Sequence, residues 1–222
     1  MVAVVCKNKS RYTLTRHICG RVCVITVGSR VGRQRIRRAL MPFGDGFVFS
    51  RGVHTRGFTP FDTSAYRTEL LFHTFKKHVL SQTGLDRVVG IFDPDGQFLH
   101  HALPIINHCL EVKIVTTASA DEFCEQCLTE IGTCPYICTE KNALLDCDIC
   151  FAPEGLSYFG GELFGEGGHM PNPNDIALPS YCNQAIFFGA DKIDLAALLC
   201  FEEPSLCPEH LIHFSKKQHL FV

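Results

Sequence analysis

The sequence predicts an α/β fold: a parallel sheet with flanking helices, preceded by a smaller β-rich N-terminal portion. From Val88 onward, short apolar runs alternate with segments of helical length. This alternation is typical of strand–helix–strand units that build a parallel sheet through right-handed crossovers. Residues 2–58 instead contain short apolar pieces separated by glycines, which indicates strands joined by turns.

Charge divides the chain at nearly the same place. Residues 1–80 contain 15 Lys and Arg but 3 Asp and Glu, whereas residues 81–222 contain 6 and 20. We therefore predict a basic β-rich portion over 1–80 that ends in a helix, and an acidic α/β domain over 81–222. Such a split favours two units whose faces attract each other, or a basic surface for an anionic partner.

Composition predicts a cytoplasmic protein with a sizeable core. The hydrophobic fraction is 46% and the mean hydropathy +0.10, and no run approaches the ~18 apolar residues of a membrane span. The apolar stretch Val2–Cys6 precedes the nearest positive charges, the reverse of a signal peptide. We expect no membrane partner. The thirteen cysteines should stay reduced and serve mostly as small core residues.

The N-terminal portion is predicted to form a small antiparallel meander or strand-rich cap from Val2–Cys6, Arg21–Val27 and Gly46–Phe49. A helix should follow, with Asp62 or Thr63 as its N-cap and apolar residues at helical spacing up to Leu80. Gly84 is expected to stop it.

Five arginines form the densest charge cluster, namely Arg30, Arg33, Arg35, Arg37 and Arg38. Positions 33, 35 and 37 alternate, so an extended chain would project them from one face. One interpretation is a surface that binds an anion or nucleic acid. The other is a solvated strand face, or one that meets the acidic second half of the chain; a protein partner is a further candidate for this basic face. The second is favoured because no aromatic stacking pattern accompanies the cluster.

In the acidic half, strands are predicted over Val88–Phe92, Val112–Val115, Tyr136–Cys138 and Asp148–Ala152. Helices are predicted over Gln97–Leu110, where Pro104 introduces a kink, and over Ala120–Gly132, with a helical turn at Asn142–Leu145. A long Gly- and Pro-rich loop then covers 155–180. Ala185–Phe188 is read as a further strand, and Asp191 as the cap of a last helix over Ile193–Cys200.

The strand–helix order of Val88–Ala152, together with the phrase Leu144–Pro153, resembles the nucleotide-binding half of Rossmann-type dehydrogenases. That resemblance implies a phosphate-binding Gly-x-Gly-x-x-Gly after the first strand, where this chain has Asp93-Pro94-Asp95-Gly96. Thr116 and Thr117 replace the acid that usually follows the second strand. We therefore predict a Rossmann-like protein with a degenerate nucleotide-binding site, a non-catalytic or regulatory role and no cofactor. Gly96, Thr116, Thr117 and Glu154 mark where a ligand would bind.

The run from Phe92 to Gln97 also resembles the first motif of haloacid-dehalogenase-type phosphotransferases, Asp-x-Asp-Gly-Thr. That resemblance implies a Mg²⁺-dependent phosphatase with Asp93 as nucleophile and Asp95 as acid/base. Thr116 or Thr117 would bind the phosphate, and Lys141 would steady the nucleophile. Only Glu154 is available as the acid after the fourth strand. A plainer alternative is that Asp93 caps a turn, because Pro-Asp-Gly is a common turn sequence.

Close cysteine pairs leave one metal hypothesis open. Cys124-x-x-Cys127 and Cys147-x-x-Cys150 have the spacing of zinc ligands, and Glu162, Glu166 and His169 lie together in the Gly-rich loop. Since the first pair fits a buried helix face and the second brackets a strand, we assign no metal site.

Overall fold

A computed structural model describes residues 1–53, 55–82, 86–203 and 205–212 of the chain. The chain forms two compact units, one built from residues 1–69 and 172–222 and the other from residues 70–171. The predicted division at 80/81 differs from these units, since the C-terminal segment belongs with the N-terminal one.

Nine strands occur in the described residues: β1 (Val2–Lys7), β2 (Leu14–Cys19), β3 (Val22–Val27), β4 (Phe47–Phe49), β5 (Val88–Phe92), β6 (Glu111–Val115), β7 (Tyr136–Cys138), β8 (Ile149–Phe151) and β9 (Glu162–Phe164). Seven α-helices accompany them: α1 (Arg33–Leu40), α2 (Ser64–Ser81), α3 (Leu99–Ile106), α4 (Asp121–Glu130), α5 (Asn183–Phe187), α6 (Lys192–Glu202) and α7 (Pro208–Leu211).

The unit of residues 70–171 contains the predicted parallel sheet. Its strands lie in the order β7-β6-β5-β8-β9, and every neighbouring pair is parallel. Numbered by appearance, this order is 3-2-1-4-5, the order of a Rossmann sheet. The fold class predicted from the sequence is therefore confirmed. The edge strand β9 lies inside the segment 155–180, which was predicted to be entirely irregular.

Apolar side chains from α2, α3 and α4 cover this sheet. Phe72 of α2 stacks on Phe98 at 4.4 Å between ring centroids and meets Phe151 of β8 edge-on at 5.1 Å. Phe123 of α4 is buried in the same cluster. The α2 helix begins as predicted, because Asp62 Oδ1 accepts a hydrogen bond from the Ser64 N–H at 2.9 Å. Gly84, its expected stop, lies outside the described residues.

The sheet of the other unit has the order β2-β3-β1-β4 and is mostly parallel. β1 pairs in parallel with both β3 and β4, and only β2 runs antiparallel to its neighbour β3. The predicted antiparallel meander is wrong. The reason is α1, which lies between β3 and β4 and provides the long crossover that parallel strands require.

The arginine cluster is helical rather than extended. Ile36, Ala39 and Leu40 are the buried residues of α1, and their spacing of three and four places them on one helix face. The prediction that Arg33, Arg35 and Arg37 share a face is therefore wrong, since only residues three or four apart do so in a helix.

The C-terminal segment completes the first unit by burying α6. Seven residues of α6 are buried, and Leu195, Leu198 and Leu199 lie in one cluster with the β1 residues Val2 and Val4. Asp191 caps α6 as predicted, accepting hydrogen bonds from the N–H groups of Ile193 and Asp194.

Two ion pairs further explain why this acidic segment belongs with the basic N-terminus. Arg67 pairs with Asp194, and Arg21 with Glu203. The strand predicted at Ala185–Phe188 is wrong, because residues 183–187 form the short helix α5. A short apolar run does not by itself distinguish a strand from a buried helical turn. No helix among the described residues has the length and apolarity to cross a bilayer.

The placement of β9 predicts a sharp difference between two adjacent glycines. A Cβ atom at Gly161 would lie 2.4 Å from the backbone oxygen of Asp148, whereas one at Gly160 would meet no atom within 4 Å. We expect Gly161→Ala to lower the free energy of unfolding by about 1–3 kcal/mol through overpacking. Gly160→Ala should stay within about 0.5 kcal/mol of the native chain. Urea denaturation of both variants measures this, and equal losses would contradict the pairing of β9 with β8.

Candidate functional site

The first candidate site lies where the strand order of the five-stranded sheet reverses. β5 is followed along the chain by β6 on one side, while β8 pairs with its other side. In open parallel sheets, ligands bind in the crevice at the carboxyl ends of the strands next to this reversal. The loop from Asp93 to Phe98 occupies this position.

Asp93 is turned inward and is fully engaged by the backbone. Its side chain is only 3% exposed. Its Oδ1 accepts the Gln97 N–H at 2.9 Å and its Oδ2 accepts the Phe98 N–H at 2.7 Å. Burial raises the pKa of Asp93, while these two bonds favour the charged form and oppose that rise. The carboxylate therefore closes the turn that leads into α3.

The two threonines at the end of β6 hold the same loop. The backbone oxygen of Pro94 accepts hydrogen bonds from the Thr117 N–H at 3.0 Å and the Thr117 hydroxyl at 2.8 Å. The Thr116 hydroxyl lies 3.4 Å from the same oxygen, and Thr116 is buried. Both side chains tie one loop to its neighbour, Thr116 from a buried position and Thr117 from an exposed one.

Asp95 and Gly96 complete the turn in different ways. Asp95 is exposed. Gly96 has a φ of 71°, and a Cβ there would lie 2.8 Å from the Cβ of Ala118. The position therefore requires glycine for its conformation and for its close packing on the next loop.

Lys141 and Glu154 line an opening of their own in the same unit. The Lys141 ammonium is 4.5 Å from the centroid of the Phe92 ring and 3.9 Å from Glu154 Oε2. Both residues line an open cavity of about 520 Å³ that also includes Tyr158 and Glu166. Neither Asp93 nor Asp95 is among the described residues that line this cavity.

The arginine cluster divides into paired and unpaired side chains. Arg30 donates to the Tyr12 hydroxyl at 2.8 Å, and Arg37 donates to the backbone oxygen of Gly57 at 3.0 Å. Arg35 and Arg38 are exposed on α1. Arg33, in the first turn of α1, lines a cavity that the sequence did not reveal.

This second candidate site, the basic cavity, lies at the carboxyl ends of the three parallel strands of the four-stranded sheet. Its volume is about 330 Å³, within the range of small-molecule sites. The residues that line it are Lys7, Val27, Gly28, Ser29, Val31, Arg33, Ile36, Gly52, Val53, Arg56 and Phe58. The available sequence signal was the apolar run Val22–Val27 followed by Gly28-Ser29, with Gly32 just before a helix.

The cysteine pairs do not form metal centres among the described residues, where no group of three or more His, Cys, Asp and Glu is placed to hold an ion. All thirteen cysteines are free thiols. Cys147 and Cys150 are buried beside Gly90, and burial raises the pKa of Cys147 to about 12. In the loop trio, His169 Nε2 lies 3.3 Å from Glu162 Oε1, which also lies 2.9 Å from His78 Nε2.

The closed turn predicts different consequences for its two carboxylates. Asp93→Ala removes the acceptor of two N–H groups, so the free energy of unfolding should fall by about 1–3 kcal/mol. The exposed neighbour gives a matched control, because Asp95→Ala should change it by no more than about 0.5 kcal/mol. Chemical denaturation of both variants measures the difference. A larger loss for Asp95→Ala would contradict the structural role of Asp93.

Comparison with known proteins adds a likeness to a solved structure. No protein-family model matches the chain, and no curated protein matches it. Among solved structures, the chain is similar to L-tryptophan dehydrogenase from Nostoc punctiforme, with 15% sequence identity and a TM-score of 0.33. The match covers 83% of this chain and 62% of that enzyme's chain. The fold assignment therefore depends on the strand order described above.

Proposed function

We propose that this chain is a non-catalytic or regulatory Rossmann-like protein in which the nucleotide-binding loop of the five-stranded sheet has become structural. The observation that carries the proposal is the position of the Asp93 carboxylate. Each of its oxygens accepts a backbone N–H, from Gln97 and from Phe98. In a working dinucleotide site such backbone N–H groups face the pyrophosphate. Here an anion supplied by the chain itself engages them.

Three further features of the loop support this proposal. Pro94 has no N–H to donate, and the exposed carboxylate of Asp95 would repel a bare phosphate. The Pro94 carbonyl accepts two hydrogen bonds from Thr117, which hold this loop against the loop that follows β6. A cofactor would have to displace these contacts as well as the Asp93 carboxylate.

The alternative is the Mg²⁺-dependent phosphatase that would use Asp93, Asp95 and Lys141. A nucleophilic carboxylate must reach the phosphorus atom with a free oxygen. Asp93 is 3% exposed, and both of its oxygens accept backbone bonds. The geometry therefore favours the non-catalytic role.

An activity assay tests the choice between the two. We expect the native chain and Asp93→Asn to show no saturable, Mg²⁺-dependent hydrolysis of p-nitrophenyl phosphate, and no quenching or enhancement of NADH fluorescence. Hydrolysis by the native chain that Asp93→Asn abolishes would overturn the proposal in favour of the phosphatase. Saturable NADH binding by the native chain would overturn it in favour of a working dinucleotide site.

Chemical rescue tests whether the site is occupied by the chain's own anion. In Asp93→Ala the Gln97 and Phe98 N–H groups lose their acceptor, so a small carboxylate such as formate should bind there and stabilise the folded state. We expect formate to raise the melting temperature of Asp93→Ala more than that of the native chain or of Asp95→Ala, at matched ionic strength. Equal shifts in all three would contradict the assignment.

A further inference from the structure

The basic cavity of the first unit has the size and the position of a small-molecule site. It is a concave space of about 330 Å³. It lies at the carboxyl ends of parallel strands, because Lys7 ends β1, Val27 ends β3, and Gly52 and Val53 follow β4. Parallel α/β sheets bind their ligands at this edge.

The charged residues that line the cavity are all positive. Lys7, Arg33 and Arg56 line it, and none of the described residues around it is acidic. Within the described part of the chain, no carboxylate forms an ion pair with any of these three side chains. Three uncompensated cations around one small space repel one another, and an anion that enters would relieve that repulsion.

The loop that lines the cavity is held in place before any ligand arrives. The Gly28 N–H donates to Thr13 O at 2.9 Å, the Arg30 N–H donates to Arg11 O at 2.8 Å, and the Val31 N–H donates to Gly28 O at 3.0 Å. A Cβ at Gly28 would lie 2.2 Å from the backbone oxygen of Ser10, so only glycine allows this approach. A fixed loop lowers the entropy that binding must overcome.

One wall of the cavity is apolar. Val31, Val53 and Phe58 are half-buried there, and the Phe58 ring packs against Phe49 at 5.5 Å between centroids. The ligand should therefore carry an apolar or aromatic body as well as its charge. The Arg37 guanidinium lies 5.9 Å from the centroid of the Phe58 ring, so the part of this ring that lines the cavity adds apolar and aromatic contact area.

We propose that the basic cavity binds a small phosphate monoester with an apolar or aromatic body. Arg33 and Arg56 pair with the phosphate oxygens, and Lys7 adds a third charge from the end of β1. A phosphate monoester is favoured over a carboxylate because its nearly doubled charge at neutral pH neutralises more of the three cations. Guanidinium groups also match phosphate geometry with paired hydrogen bonds.

Titration calorimetry with phenyl phosphate tests the proposal on the full chain, at about pH 8, where the monoester carries close to two negative charges. Three comparison compounds separate its features. Phenol has the aromatic body without the charge, benzoate has the aromatic body with a single negative charge, and inorganic phosphate has the head group alone. We expect phenyl phosphate to bind at least about tenfold more tightly than benzoate, and phenol to show no binding. Benzoate binding as tightly as phenyl phosphate would overturn the assignment to a phosphate.

The chain offers a matched pair of variants on one helix. Arg33→Gln and Arg35→Gln remove the same charge from α1, but only Arg33 lines the cavity. We expect Arg33→Gln to weaken phenyl phosphate binding about tenfold and Arg35→Gln to leave it within about twofold. Lys7→Gln and Arg56→Gln should weaken binding as Arg33→Gln does, and an unchanged melting temperature and circular dichroism spectrum exclude misfolding as the cause.

Two further outcomes would overturn the proposal. One is an equal loss of binding in Arg33→Gln and Arg35→Gln, which would assign the effect to the overall positive charge. The other is absence of phenyl phosphate binding up to about 10 mM. In that second case, single-stranded oligonucleotide binding that falls steeply with salt and weakens equally in both variants would assign the basic face to nucleic acid.

Discussion

The carboxylate of Asp93 fixes the carboxyl edge of the five-stranded sheet. Its two oxygens accept the backbone N–H groups of Gln97 and Phe98, which sets where α3 begins. The Asp93 N–H in turn donates to the backbone oxygen of Val115 at the end of β6, so the turn continues the pairing of the two strands. A buried carboxylate is tolerated only when it is well bonded, and here both of its oxygens accept backbone hydrogen bonds.

The two sheets present opposite chemistry at equivalent places. At the carboxyl edge of the five-stranded sheet, the chain's own carboxylate engages the loop N–H groups. At the carboxyl edge of the four-stranded sheet, the lining residues include Lys7, Arg33 and Arg56 and a loop pinned at Gly28. In both sheets a strand end is followed by the start of a helix. In the five-stranded sheet this junction is a turn closed by Asp93, and in the four-stranded sheet it borders an open basic cavity.

The elements that were predicted correctly from the sequence are those whose buried positions produce a recognisable pattern of apolar residues. β5 is an apolar run at the centre of a sheet covered by helices, and such a strand is recognisable without alternation. In β6 the buried residues Val112, Ile114 and Val115 give the pattern. β9 was missed because it has three residues, of which only Phe164 is buried, within a segment rich in Gly and Pro. Helix α1 was missed because four arginines hide the three buried positions that define its inner face.

The candidate sites were predictable to different degrees for a related reason. The Pro-Asp-Gly turn is local, so the capping role of Asp93 was available from the sequence as an alternative to catalysis. The basic cavity is not local. Lys7, Arg33 and Arg56 are separated by more than twenty residues each along the chain, and they meet only because β1 pairs in parallel with both β3 and β4. An antiparallel meander would have sent those strand ends to opposite edges.

The distribution of ion pairs shows which of the basic residues in the N-terminal part of the chain have acidic partners. In the first unit, Arg21 and Arg67 are neutralised by Glu203 and Asp194 from the C-terminal segment. That segment supplies acids to one part of the unit, and no described acidic residue lines the basic cavity. If the positive charge of this unit served only to join the N-terminal and C-terminal segments, we would expect it to have acidic partners wherever the two segments meet. Three cations of the unit, Lys7, Arg33 and Arg56, line one concave space at the strand ends, which is the arrangement that the proposed anion site requires.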